Sequence, residues 1–191
     1  MWSSVALTII ISILWLVGIT YLSLALFYRL TRKEVFVPFV PSDTKGIETM
    51  CEAAAMQGTE SVIDIGSGWG TILFFLATKY KKLQLTGIEL NPLLHLIATI
   101  RKKLFHRQND ITLLRGDATT ISFKEYDVVF IFMLSSFVNK VLVPKFEKEL
   151  HPGARVVSYV FPMKSALFTE KKMEIPAHGW KSNVYIYEKK A

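Results

Sequence analysis

Cysteine is nearly absent from this chain. Cys51 stands alone among 191 residues, so no internal disulfide can form, and no metal-ligand neighbour lies at a workable spacing from it. It reads as a small apolar side chain in the core of a helix. Internal repeats and low-complexity tracts are also missing, which argues against a solenoid or a disordered tail. Charge is missing altogether before Arg29. The run "MWSSVALTIIISILWLVGITYLSLALFYRL" is longer than the roughly 20 apolar residues that cross a bilayer, so Ser4 to Tyr28 reads as a transmembrane helix. A cleaved signal peptide would want a basic start, a shorter apolar core and a small-residue cleavage site. A buried core helix would show a polar stripe, and only scattered Ser and Thr interrupt this run.

What is present after the span is basic. All 23 Lys and Arg follow it, against 16 Asp and Glu, for a net charge of +7. One span makes the expected chain single-pass, and the positive-inside rule places everything after it on the cytoplasmic side. The same charge can hold a tethered domain against anionic lipid. No aromatic-interleaved basic motif appears, so nucleic acid is not an expected partner. The expected organisation is a membrane anchor over residues 1–30, a Pro-containing linker over 31–42 and one domain over 43–191.

The linker "KEVFVPFVPSD" carries Pro38 and Pro41 and cannot continue a helix. Ser42 or Asp43 can cap a helix running to about Gln57. Strand-like runs then alternate with helical ones. The strands are expected at Ser61–Ile65, Leu83–Glu89, Ile111–Arg115, Asp127–Phe132 and Ala154–Val160. Most are near-continuous apolar runs, as in parallel strands buried on both faces. "PLLHLIATIRKKLF" places Leu93, Leu94, Leu96, Ile97, Ile100 and Leu104 on one helical face, with Arg101, Lys102 and Lys103 towards the other and His95 beside the apolar side. "NVYIYEKK", Asn183–Lys190, alternates and reads as a late antiparallel strand at the sheet edge. The fold class is α/β, a mostly parallel twisted sheet with helices on both faces.

Ligands of such sheets sit beyond the carboxyl ends of the strands, where "DIGSGWG", Asp64 to Gly70, follows the first strand. Its glycines run G-x-G-x-G rather than the dinucleotide G-x-G-x-x-G, which disfavours an NAD oxidoreductase. The turn has no lysine or arginine for a phosphate, and Asp64 would repel one. A cationic amine would be favoured there. Glu89, ending the second strand in "GIELNP", can accept two hydrogen bonds from a ribose diol, and Asp117 in "RGDA" can accept from an adenine amino group, with the Ala118 N–H facing a ring nitrogen. A cationic nucleoside without phosphate fits this order of acids, and S-adenosylmethionine (SAM) is such a cofactor.

With these motifs the chain resembles the class I SAM-dependent methyltransferases from Val37 to Lys190, and the expected fold is accordingly Rossmann-like. "VPFVPS", "GIELNP", "VLVPKFEKELHPGARVVSYVFP" and "VYIYE" are more narrowly similar to the membrane-anchored and archaeal protein-lysine methyltransferases, which include the adenine nucleotide translocase and ATP synthase c-subunit lysine methyltransferases. That resemblance implies that Asp64, Gly66 and Gly68 cradle the methionine end, Glu89 the ribose and Asp117 the adenine. It also implies that Phe39 to Ser42 fold over the cofactor. The remaining candidate cofactor contacts are Ile65, Ser67, Trp69, Leu90, Asn91, Gly116, Ala118 and Phe132. Trp69 and Thr71 stand where these relatives usually have Asp and Arg in G-x-G-D-G-R.

Methyl transfer is an in-line displacement that needs positioning and water exclusion, not a triad or a metal, so no residue is singled out as catalytic. Candidates for the acceptor pocket are Phe39, Pro41, Met133, Ser135 and Ser136, with Tyr159 and Phe161 as an aromatic wall. The expected acceptor is a lysine of a membrane or membrane-proximal protein. The alternatives are a lipid, quinone or other small apolar acceptor, or a SAM-binding membrane module without catalysis.

Overall fold

A computed structural model describes residues 2–31, 44–106, 110–175 and 182–191. Contacts divide the chain into two compact units, Met1–Pro38 and Phe39–Ala191. The expected linker and the Ser42 or Asp43 cap lie outside the described residues.

In the first unit, α1 (Trp2–Thr31) is one unbroken helix. Its Ala6–Leu26 stretch has a mean hydropathy of 2.4, and none of it is buried. At 1.5 Å per residue that stretch is about 32 Å long, against a hydrocarbon thickness of about 30 Å. The hydroxyls of Ser12 and Thr20 donate to the carbonyl oxygens of Thr8 and Leu16 at 2.9 and 2.7 Å. These polar groups are thus satisfied within the helix and need no water. By length and composition α1 can cross a bilayer.

The second unit runs α2 (Thr44–Ala53), β1 (Ser61–Ile65), α3 (Thr71–Lys79), β2 (Gln84–Glu89), α4 (Pro92–Phe105) and β3 (Ile111–Arg115). It continues with β4 (Val128–Ile131), α5 (Ser135–Phe137), a π-helical turn, α6 (Val143–Glu149), β5 (Arg155–Tyr159), β6 (Phe168–Ile175) and β7 (Ser182–Lys189). The sheet order is β3-β2-β1-β4-β5-β7-β6. The first five strands are parallel, and β7 is antiparallel to both β5 and β6. This is the expected mostly parallel sheet, with its order reversing at β1.

Alternate residues of each strand serve different cores. On one face Val62, Leu85, Phe130 and Val157 pack against Met50 and Cys51 of α2 and Leu73 and Leu76 of α3. On the other, Ile63, Ile88, Val129 and Val156 pack against Val138, Leu142 and Phe146. Covering both faces makes the strands read as continuous apolar runs. Cys51 is part of the first core as expected, and burial pushes its thiol up to about 12.

Three features differ from the sequence reading. The helix expected to run to about Gln57 ends at Ala53, just before Ala55 turns to a positive φ of 47°. "FTEKKMEI" forms β6, with Phe168 and Ile175 buried and charged side chains exposed between them. It takes the sheet edge, so β7, expected there, lies one strand in. Charge on an edge strand blocks further pairing and hides the apolar alternation. The Pro92–Phe105 helix has the expected bounds, but its apolar row faces outward: Leu93, Leu96, Ile100 and Leu104 are all exposed.

Gly87 in β2 has no room for a side chain. A Cβ there would overlap Leu73 Cδ1 and stand 2.8 Å from Ser67 Oγ. Gly87→Ala is expected to cost about 1–3 kcal/mol by overpacking, which lowers the melting midpoint by roughly 2–10 °C for a chain of this size. A thermal melt of the full chain in detergent checks this, and an unchanged midpoint means that the turn at Ser67 yields freely.

Candidate active site

The carboxyl ends of β1, β2 and β3 are stitched together by their own backbone. Gly66 and Ser67 N–H both donate to the Ile88 carbonyl, at 2.9 and 3.1 Å, and Gly116 N–H donates to the Glu89 carbonyl at 3.1 Å. The turn "GSGWG" has positive φ at Gly66 (74°), Gly68 (56°) and Gly70 (83°), a region that L side chains rarely adopt. A Cβ at Gly70 would also lie 2.7 Å from the Phe74 ring. Three glycines therefore follow from one tight path between β1 and α3.

Two acids face this turn. Glu89 is buried, its Oε2 accepting from Gly68 N–H at 2.8 Å and its Oε1 from Asn91 N–H at 2.7 Å. Each carboxylate oxygen keeps a second lone-pair direction for a diol. Asp64 is buried at 5% exposure, and no donor to its carboxylate is present among the described residues. Burial, and secondarily the negative charge of Glu89, push Asp64 up to about 7. An acidic pair of this kind, with no cation beside it among the described residues, suits a ligand that brings a positive charge and hydroxyls. It repels phosphate. The residues present therefore fit SAM, through Asp64 for its amine and Glu89 for its ribose.

Several expected contacts have local duties as well. The Asn91 side chain caps α4 by accepting from Leu93 and Leu94 N–H at 2.9 and 3.3 Å, with Pro92 as the first helical residue. Asp117 Oδ1 accepts from Thr119 N–H at 2.8 Å and caps the short 3₁₀ turn Ala118–Thr120, which leaves Oδ2 for an adenine amino group. The Ile65 side chain points into the core with α6, so only its backbone can face a ligand. Leu90 is half-buried and Trp69 is 36% exposed. Ser42, Phe39 and Pro41 lie outside the described residues.

The expected acceptor side of the site forms a cluster. Phe132 meets Tyr159 edge-on at 4.8 Å and stacks on Phe161 at 6.0 Å. Val160 has φ 66°, an outlier for a β-branched residue, and Phe161 N–H donates back to the Tyr159 carbonyl at 2.7 Å. This strained three-residue turn brings Phe161 back over Phe132 and costs about 1–3 kcal/mol. Met133 lies against Gly66, where a Cβ would stand 2.8 Å from its methyl. Ser135 is a clip: its hydroxyl donates to the Pro162 carbonyl at 3.1 Å. Ser136 is exposed.

Sequence reading missed three supports. Gly87 lies beneath the turn, and an isolated strand glycine is a signal of close approach. Arg101 donates to the Trp69 carbonyl at 2.8 Å and lies over Phe74 at 4.9 Å, so a guanidinium does reach the turn, from α4. Asn139 donates to the carbonyls of Ser135 and Pro162 and accepts from Lys164 N–H, holding the loop after β5. No spacing in the sequence announces that role. A polar hollow lined by Ser61, Gln84, Asp110 and Glu125 lies at the amino ends of the strands, opposite these residues.

Residues 64–170 match the ANTKMT methyltransferase domain. A protein-lysine N-methyltransferase of Saccharolobus islandicus (strain REY15A) is 34% identical over 156 residues, 79% of this chain and 92% of the relative. Among solved structures, an RNA methyltransferase from Salinibacter ruber in complex with S-adenosyl-L-homocysteine aligns with a TM-score of 0.70 and 28% identity, over 79% of this chain and 94% of that one. A putative methyltransferase from Escherichia coli aligns at 0.65 with 14% identity, over 82% and 92%, and shares the fold. The glycine turn, the buried acids and these likenesses together make the chain a member of the ANTKMT methyltransferase domain family, a SAM-dependent methyltransferase of Rossmann-like fold.

Proposed function

We propose that the protein is a protein-lysine N-methyltransferase, anchored by α1 in a membrane with its catalytic domain on the cytoplasmic side, and that its acceptors lie on membrane or membrane-proximal proteins. The lysine rests on the 34% identical relative, which carries the reading because it matches over nearly its whole length. The anchor rests on the uncharged Ala6–Leu26 stretch and on the basic residues that follow it. The domain bounds proposed are residues 1–30 for the anchor, 31–42 for the linker and 43–191 for the methyltransferase.

When bound, SAM would supply an electrophilic methyl carbon: the lone pair of a neutral lysine amine would form the N–C bond as the S–C bond breaks, its electron pair staying on sulfur as the neutral thioether S-adenosylhomocysteine, and the methylated ammonium would lose its proton to water. The protein's part is to hold both reactants and to exclude water. Asp64 holds the cofactor amine, Gly66 and Gly68 present backbone to its methionine end, Glu89 accepts from the ribose, and Asp117 and Ala118 meet the adenine. A lysine at its ordinary pKa of about 10.4 is neutral in roughly one molecule in a few thousand at pH 7. The aromatic group Phe132, Tyr159 and Phe161 offers an apolar wall that lowers the acceptor's pKa by desolvation. We assign Met133 and Ser135, both half-buried, to the lining of the acceptor's path.

Membranes carrying the full chain, given methyl-labelled SAM, are expected to incorporate label into lysines of membrane proteins. Label recovered only in lipid gives the small apolar acceptor instead, and label recovered only in RNA overturns the protein acceptor. A C-terminal tag is expected to resist external protease in intact cells, and its digestion refutes the orientation.

A further inference from the structure

α4 turns its apolar row away from the sheet. Ala98 is its one fully buried residue, and the Lys102 amine crosses over to donate to the Ile111 carbonyl. Leu93, Leu96, Ile100 and Leu104 are instead 47, 53, 48 and 65% exposed. At about 100° per residue these four fall within an arc of about 80°, and their row is roughly 16 Å long. Phe105, 74% exposed, extends the apolar surface at the carboxyl end. Single exposed leucines are ordinary on a protein surface, but a continuous row marks a contact surface.

The charges beside the row say what it meets. Arg101 falls about 100° to one side of the row's centre and Lys103 about 60° to the other, and no acidic residue occurs anywhere in Pro92–Phe105. An apolar strip between two cationic borders complements the anionic headgroup boundary of a bilayer, where each basic residue contributes about 1 kcal/mol. A second copy of this face would oppose like charges. The Trp2–Tyr28 part of α1 carries no charge to answer them. Residues 32–43 join α1 to α2, so the anchor proposed above keeps the domain tethered to a membrane.

We infer that this face of α4 docks on an anionic bilayer surface, with Leu93, Leu96, Ile100 and Leu104 at the acyl boundary and the positive charge of the helix beside the headgroups, Arg101 keeping its hydrogen bond to the Trp69 carbonyl. The docking adds a second point of attachment to the anchor proposed above and orients the domain. Asn91, at the start of α4, donates to Glu89 itself, so seating the helix sets the height of the cofactor site over the membrane.

The single cysteine is buried, so a thiol-reactive, environment-sensitive fluorophore can be placed by Ile100→Cys, with Thr169→Cys on the opposite sheet edge as the reference. The full chain is reconstituted in vesicles of phosphatidylcholine with phosphatidylserine, doped with lipid-borne nitroxide quencher. Quenching at position 100 is expected to exceed that at 169 by at least about threefold, and to weaken at least about threefold in pure phosphatidylcholine as the charge attraction is lost. A solvent-exposed emission at position 100 overturns the inference. A blue-shifted but unquenched one does too, because protein then covers the row. Equal quenching in both lipids removes the role of the helix's positive charge. Alkaline extraction of the same vesicles reads α1 separately, so failure of the anchor and failure of this surface are told apart.

Discussion

Asp64→Asn is expected to melt higher than the wild type and to bind SAM at least about 100-fold more weakly, since removing one partner of a buried ion pair costs about 3–5 kcal/mol. The two effects have one cause. Burial and then the charge of Glu89 raise Asp64 from the ordinary 3.8 to about 7. Below about pH 3 the carboxyl is protonated in both folded and unfolded chains and costs nothing. As the pH rises from about 4 to about 7 the unfolded chain ionises first, so the stability contributed by this group is lost across that window and stays lost above it. The full cost is on the order of 4 kcal/mol, equivalent to roughly 10 °C in melting midpoint for a chain of this size. Cofactor-free Asp64→Asn should therefore melt above the wild type at pH 8 and converge with it near pH 4. In the wild type, SAM affinity should rise as the pH passes through about 7, because the cationic amine is bound by the ionised form. Calorimetric titration and thermal melts over this range check both. Wild-type SAM affinity in the variant removes Asp64 from the amine site.

Glu89→Ala is expected to lose a similar fraction of SAM affinity, with the opposite effect on stability. Glu89 is spent on the fold, accepting from Gly68 and Asn91 N–H, whereas Asp64 accepts from nothing among the described residues. Truncation leaves two backbone donors unpaired at about 1–3 kcal/mol each, apart from what water recovers, so the midpoint should fall by at least about 3 °C. It also removes a neighbouring negative charge, so the pH dependence of SAM binding should shift below the wild-type midpoint. Two adjacent carboxylates with equal losses of binding and opposite shifts in melting would separate the ligand-facing acid from the one that also builds the turn. A Glu89→Ala variant that melts like the wild type shows that the Gly68 turn holds without it.

Much of the fold was legible because its signals are local. β1 and β3 follow from short apolar runs with clear bounds, and α4 from the Asn91 cap, Pro92 and the 3.6-residue period. The failures have physical reasons too. β6 escaped notice because an edge strand protects itself with Thr169, Glu170, Lys171 and Lys172, whose charges erase the alternation. The site was legible in its acids and glycines, which stand beside one another in three short motifs. Its supports, Arg101 and Asn139, were not, because their partners lie on other elements.

By itself the sequence determined the order of the first five strands and the helical stretches between them, the uncharged N-terminal helix and the glycine turn followed by acids at the ends of successive strands. Each of these rests on backbone conformations and periodicities that neighbouring residues impose. Only the tertiary structure decided that Asp64 is buried beside Glu89 while, among the described residues, donors reach Glu89 and not Asp64, that Gly87 leaves space for Ser67, and that the apolar row of α4 faces outward. Periodicity shows that a helix has an apolar face, but which way that face turns depends on what the sheet leaves uncovered, and a pKa depends on the water and charges that folding removes or brings close.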